Sequence, residues 1–535
     1  MSINSDSDDV YLKPNLAVEP LVHRWYAQLE ILAPQVAAMF IKNSHVEVMR
    51  SFISEPELHE LGLKSPEMMG SSLINYPESR VAEIRALLSD TISKRSYMIE
   101  FARSVTALDE LLRENANGQS MASIYEKVPQ PLKGYIELVY DLNCHPSIRF
   151  IEGALYNSVY YDESFQEIAL FLLSGDNRAF IGSTPRLNEP YSMYINIPFK
   201  SWELDKLFQM REEPLLYGEV CELFGVVKED SELFSTFFTP ELPVVKSGPP
   251  AGSVRVRYFG HACILIESDQ LNILIDPLIS YSFADGLSRY SFQDLPERID
   301  YVLITHGHAD HFVLETLLQI RYKVSTVVVP KSSGGYLADP SLKLLLKGIG
   351  FKSVIEMDEM ESVLIPDGCI IGLPFLGEHS DLNIRSKLAY FISINEKRIF
   401  IGADSNNIEP EVYTNIRKSL GESIDLFFIG MECVGSPLSW GYGSLLTQAI
   451  PRSVDQSRRD EGSDSEKARI MVEILKPSKA FVYAMGMEPW LSHITAIPYT
   501  ENSKPIIESN KFIQWCLSKG IWAERLYGRQ EILLR

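Results

Sequence analysis

The stretch Thr305-His306-Gly307-His308-Ala309-Asp310-His311 puts three imidazoles and a carboxylate within six positions. So many rings cannot all be satisfied in a core, because each inward imidazole needs a hydrogen-bond partner. Metal ligation explains the density better. In an extended segment His306 and His308 point the same way and could grip one ion. Asp310 and His311, past the turn, could grip a second ion a few ångströms away. The apolar run Tyr301-Val302-Leu303-Ile304 just ahead predicts a buried strand ending where the histidines begin.

The elements that position this turn come from the pattern of the whole chain. Its 535 residues exceed what one core supports. Residues 1–14 read as a disordered tail and 15–238 as an α+β domain. Within it we expect helices over 18–52, 78–114, 134–142 and 165–173, and strands at 147–151 and 192–197. Residues 239–252, dense in Pro and Gly, read as a linker. From 253 to 535, strand runs interleave with helices, which predicts a layered α/β domain.

Composition narrows the classes. A formal charge of −21 disfavours nucleic acid as a partner, since such binding needs a basic surface. No apolar run is long enough for a membrane span, and the acidic first residues are unlike a signal peptide, so the expected location is cytoplasmic. Six singly spaced cysteines (Cys144, Cys221, Cys263, Cys369, Cys433, Cys516) fit reduced, mostly buried thiols. Neither Cys263 nor Cys433 has a base partner visible in sequence.

Tyr258-Phe259-Gly260-His261-Ala262, Asp276-Pro277, the Thr305–His311 turn, Gly377-Glu378-His379-Ser380-Asp381-Leu382 and Gly402-Ala403-Asp404-Ser405 occur in the order and spacing of the metallo-β-lactamase superfamily. Residues 253–535 resemble that superfamily, which implies an αββα sandwich with a dinuclear site at one edge. Carried over, His306 and His308 hold one metal, Asp310 and His311 the other, and Asp404 bridges them. The later-loop ligand is Glu378 or its neighbour His379, and His493 is the candidate for the C-terminal histidine.

Over nearly its full length, with Gly430-Met431-Glu432-Cys433 and Ala484-Met485-Gly486-Met487-Glu488-Pro489-Trp490 added, the chain also resembles the β-hydroxylases of nonribosomal peptide pathways. That resemblance implies Glu378 as the later-loop ligand, and two iron ions. It further implies O2 and an external electron donor, with oxidation of the β-carbon of an amino acid held as a thioester on a synthetase carrier domain. The N-terminal domain is assigned to dimerisation or carrier docking by resemblance alone. The alternative is a hydrolase of the same fold with two zinc ions, acting on an ester, thioester or lactone. Three carboxylates beside four imidazoles suit ferric and higher-valent iron, whereas zinc hydrolysis needs only a bound water of lowered pKa.

Further candidates surround this set. Glu432 could handle protons, or merely cap loop amides. Trp440 and Tyr442 could line the substrate passage. His261, His379 and Asp381 are candidates to orient the ligands. Arg458, Arg459, Lys467 and Arg469 could meet a phosphopantetheine phosphate or form a solvated helical face.

Overall fold

The computed structural model describes residues 8–65, 68, 70–242, 248–283, 286–421 and 423–535. The chain begins with strand β1 (Asp9–Leu12), which pairs with Phe238–Thr239 and Leu215–Leu216. From residue 8 on this corrects the expected tail over 1–14, because Val10 and Leu12 are buried apolar anchors, while residues 1–7 lie outside the described residues. Strand β2 (Leu16–Val22) follows, then helices α1 (Leu29–Leu32) and α2 (Pro34–Phe40). Helices α3 (Val81–Lys94) and α4 (Ser96–Asn115) fall within the expected helical block. Strands β3 (Gln166–Leu172) and β4 (Met193–Asn196) complete a sheet in which β3 lies between β2 and β4.

Two helix expectations therefore fail, over 134–142 and 165–173, and the one over 18–52 holds only from Leu29 onward. Residues 16–22 and 166–172 are strands, and 136–140 pairs with 146–150 as a hairpin. All seven residues of β2 are buried. A strand covered on both faces loses its alternation, and a short apolar run then reads equally well as helix.

The second half is a sandwich of two seven-stranded sheets. The first contains β5 (Val254–Gly260), β6 (Cys263–Glu267), β7 (Asn272–Ile275) and β8 (Ile299–Leu303). After helix α5 (Leu314–Ile320) it continues through β9 (Val324–Pro330) and β10 (Val354–Met357). The second contains β11 (Ser362–Ile365), β12 (Gly368–Leu373), β13 (Ala389–Ile394), β14 (Lys397–Ile401), β15 (Ile424–Gly430), β16 (Pro477–Tyr483) and β17 (Trp522–Arg525). The last strand, β18 (Gln530–Leu534), returns to pair with β5 in the first sheet. In each sheet antiparallel hairpins give way to parallel strands. Ile264, Ile275, Leu303, Ile392, Ile401 and Phe428 fill the space between the sheets. The α/β expectation with a C-terminal αββα sandwich is met.

The two halves share one apolar core, which runs from Val10 through Leu318 to Ile494. Buried charges cross the same boundary. Arg178 bonds both Glu19 on β2 (2.5 Å) and Glu315 on α5 (2.7 Å), and the Tyr26 hydroxyl donates to Glu315. The N-terminal domain is thus fixed against the sandwich. Residues 243–247, inside the expected linker, lie outside the described residues.

Candidate metal centre

Parallel strands deliver the chemistry at their carboxyl ends, the usual place for a site in such sheets. Asp276 follows β7 directly, is fully buried and has φ +39°. It accepts hydrogen bonds from the Thr305 amide (2.7 Å) and hydroxyl (2.5 Å) and lies 2.8 Å from His311 Nδ1. Thr305 Oγ1 in turn sits 3.0 Å from His306 Nδ1. With their Nδ1 atoms engaged, both rings turn Nε2 inward, as a carboxylate-supported metal ligand does. In the sequence Asp276 stands in the Asp276-Pro277 motif. Its place straight after an apolar strand was the signal for its role.

On the inner side, His311 Nε2 is 2.9 Å from Asp404 Oδ2, and His306 Nε2 is 3.6 Å from Glu378 Oε2 and 3.9 Å from Asp404 Oδ2. His308 Nδ1 is 2.9 Å from Glu378 Oε1. Three groups form with ligand atoms within 4.8 Å of one another: His306, His308 and Glu378; His306, His311 and Asp404; His261, Asp310 and His311. Yet the Nε2 atoms of His306 and His311, Glu378 Oε2 and Asp404 Oδ1 are buried without a hydrogen bond. Donor atoms that converge without bonding one another fit metal ions between them. Burial raises the Glu378 carboxyl to about 7, with His308 pulling the other way. Burial opposes a charge on His308, but Glu378 beside it lifts that ring to about 9. The carboxylates thus recruit protons where cations belong.

His261 plays a different part. Its Nδ1 accepts the Gly486 amide proton at 3.1 Å, so a neutral ring carries its own proton on Nε2, 3.0 Å from Asp310 Oδ2. That Nε2 makes no hydrogen bond in spite of the short contact, and it stands beside Asp310 and His311 in the third group.

Glu378 arrives on a strained loop. After Gly377 (φ +70°), Glu378, His379, Ser380 and Asp381 all have φ between +51° and +56°. Such left-handed residues each cost on the order of 1–2 kcal/mol, so the surroundings must hold them. Lys387 donates to the Gly377 carbonyl (2.7 Å), Arg458 to the Ser380 carbonyl (2.8 Å) and the Ser380 hydroxyl to Asp460 (2.5 Å). Arg459 holds the Val434 and Gly435 carbonyls. These arginines are therefore loop anchors rather than a free phosphate site. The loop also turns His379 inward, with Nδ1 2.9 Å from His308 Nε2.

Asp404 is placed by close packing. A Cβ on Gly430, at the end of β15, would lie 2.3 Å from Asp404 Oδ1. Gly430→Ala is therefore expected to push the carboxylate aside and weaken metal binding roughly 10–100-fold, read as iron per chain after dialysis against a graded chelator.

Four expectations need correction. His493, in helix α6 (Ser492–Thr495), belongs to none of the three groups. It lines a pocket with Arg178, Tyr26 and Glu315, because the short turn at Pro489–Leu491 carries the chain toward the N-terminal domain. Burial, then the Arg178 charge, holds its pKa well below the ordinary value. Asp381 is exposed and orients no ligand. Trp440 is 55 % exposed, since only the following Gly441 and Tyr442 turn inward. Glu432 is engaged by its own loop, as in the capping alternative: Oε1 accepts the Val434 and Gly435 amides and Oε2 the Tyr499 hydroxyl. Tyr442 does face the centre, with its hydroxyl 3.3 Å from His308 Nε2 and 3.2 Å from His379 Nδ1.

Fold and donor set together define a metallo-β-lactamase-type sandwich built for two metal ions. Residues 256–358 match the metallo-β-lactamase superfamily, and residues 11–242 match the N-terminal domain of di-iron non-haem β-hydroxylases. The chain belongs to this di-iron β-hydroxylase family. It is 36 % identical over 530 residues, covering 98 % of this chain and 99 % of the relative, to the 4-amino-L-phenylalanyl-[CmlP-peptidyl-carrier-protein] 3-hydroxylase of Streptomyces venezuelae. The crystal structure of CmlA, a di-iron β-hydroxylase from the same organism, superposes with a TM-score of 0.92 at 35 % identity, covering 99 % of this chain and all of that one. A UPF0173 metal-dependent hydrolase of Pyrobaculum islandicum is 33 % identical over 116 residues, 22 % of this chain and 46 % of the relative.

Proposed function

We infer that this protein is a di-iron monooxygenase that hydroxylates the β-carbon of an amino acid held as a thioester on a peptidyl carrier domain. The likeness to the Streptomyces venezuelae 3-hydroxylase across 98 % of the chain carries the reading. The likeness to the hydrolase covers only 22 %, so the zinc alternative leaves the N-terminal domain unexplained.

In this proposal His306, His308 and Glu378 would hold one iron and Asp310 and His311 the other, with Asp404 a further donor beside His306 and His311. When bound, and given two electrons by an external donor, the pair would supply activation of O2, one atom of which enters the substrate C–H bond while the other leaves as water. The chain's own residues do the rest. Asp276 and Thr305 fix the tautomers of His311 and His306, and His261 stands beside Asp310. The strained loop sets Glu378 before any ligand arrives, which is preorganisation. Tyr442, held above its ordinary pKa by burial, remains a neutral hydroxyl beside His308.

The substrate path is an apolar cleft that reaches His308, His379 and Tyr442 and is walled in part by α1 and α2. It suits an apolar side chain with water kept out. Purified protein is expected to hold about two irons per chain and, once reduced, to add one oxygen atom to an aminoacylated carrier domain, read by intact-protein mass spectrometry. Zinc in place of iron, with release of the free amino acid, would overturn the reading.

A further inference from the structure

The cleft beside the metal centre is shared between the two domains. A Cβ on Gly307, between two histidines of the metal turn, would meet Leu29 of α1 at 2.9 Å, so α1 rests on that turn. The next residue, Glu30, lines the cleft and is the one carboxylate among the described lining residues, which include no lysine or arginine. Its Oε2 is buried without a hydrogen-bond partner. Val36, Phe40, Leu337, Pro340 and Leu445 make the surrounding wall apolar. Glu30 follows Leu29, which rests on the metal turn, and it shares the cleft lining with His308, His379 and Tyr442, which places it at the metal end of the cleft.

A buried carboxylate oxygen with no partner, in an apolar cleft that must admit a substrate, calls for a cationic group on that substrate. An aminoacyl thioester brings one, its α-ammonium, a single bond from the carbon that bears the reacting β-position. We propose, resting on the β-hydroxylase reading, that Glu30 binds the α-ammonium of the tethered amino acid and so positions its β-carbon toward the metal centre. The N-terminal domain thereby supplies a positioning and specificity residue. A distal arylamine, being neutral at pH 7, is the weaker match for a carboxylate at the metal end.

The test compares the binding of two probes to iron-loaded full-length protein: L-phenylalanyl-pantetheine thioester and its des-amino counterpart, 3-phenylpropionyl-pantetheine thioester. The wild type is expected to prefer the amino probe by roughly tenfold or more, the size of a charged hydrogen bond. Glu30→Gln is expected to bind both alike, with unchanged iron content and unchanged affinity for the des-amino probe. Glu30→Asp is expected to recover part of the preference, which a merely structural role would not give. A wild type that does not prefer the amino probe, or a Glu30→Gln protein that keeps the preference, overturns the proposal. Hydroxylation of loaded carrier by the same wild-type preparation separates the readings: turnover without amino preference removes only the Glu30 assignment, and no turnover removes the function beneath it.

Discussion

Replacing Glu378 by alanine is expected to abolish the iron pair, whereas His379→Ala leaves most of it in place. The two side chains are sequence neighbours on one left-handed loop, and both face the centre. Their surroundings differ. Glu378 meets His308 Nδ1 at 2.9 Å and His306 Nε2 at 3.6 Å, and it completes one of the three groups. His379 approaches the far nitrogen of His308 and the Tyr442 hydroxyl, outside every group. Losing Glu378 removes an anionic donor, while losing His379 removes a neighbour that steadies one, worth roughly 10–100-fold in affinity. Iron per chain in the two variants checks this. Iron retained in Glu378→Ala but lost in His379→Ala would move the ligand to His379 and favour a zinc-type site.

The second large effect falls outside the metal-binding groups. Glu19 is 1 % exposed, with Arg178 at 2.5 Å and Arg186 at 2.6 Å. Glu19→Ala leaves two buried guanidinium groups short of a counter-charge, and breaking such a cluster costs about 3–5 kcal/mol. Because Arg178 also reaches Glu315 on α5, the loss loosens the grip between the domains as well. Burial alone would raise the Glu19 carboxyl, but Arg186 and Arg178 outweigh it and bring the pKa from 4.5 to about 2. A folded-state value below the unfolded one adds stability above about pH 4.5, and that stability is lost as pH falls toward 2. Denaturant melts at pH 7 and pH 3 check the effect. The gap between wild type and Glu19→Ala is expected to be widest at pH 7 and to narrow at pH 3; a gap that grows in acid contradicts it.

Much of the sandwich was legible because its signals are local. The strand before Thr305 and the turn that follows sit within a dozen residues, and the hairpin at Cys263–Glu267 and Asn272–Ile275 reads directly from its apolar runs. The N-terminal strands were not legible. Leu16–Val22 and Gln166–Leu172 pair with one another across most of that domain, and burial on both faces erases the period that separates strand from helix. His493 misled for a related reason. Its place in the chain fits a late ligand, but the path after β16, not the residue type, decides where its ring lies. Glu30 had no signal at all, since a carboxylate in a helical segment reads as a solvated face until the fold lays it beside a turn hundreds of residues away.

The central claim is that this fold oxidises a carbon instead of hydrolysing a bond. Reduced, iron-loaded protein given an aminoacylated carrier domain and isotopically labelled dioxygen tests that directly. One labelled oxygen atom is expected in a hydroxyl on the β-carbon, with the thioester intact. Label arriving only from water, or free amino acid released from an unoxidised carrier, would contradict it.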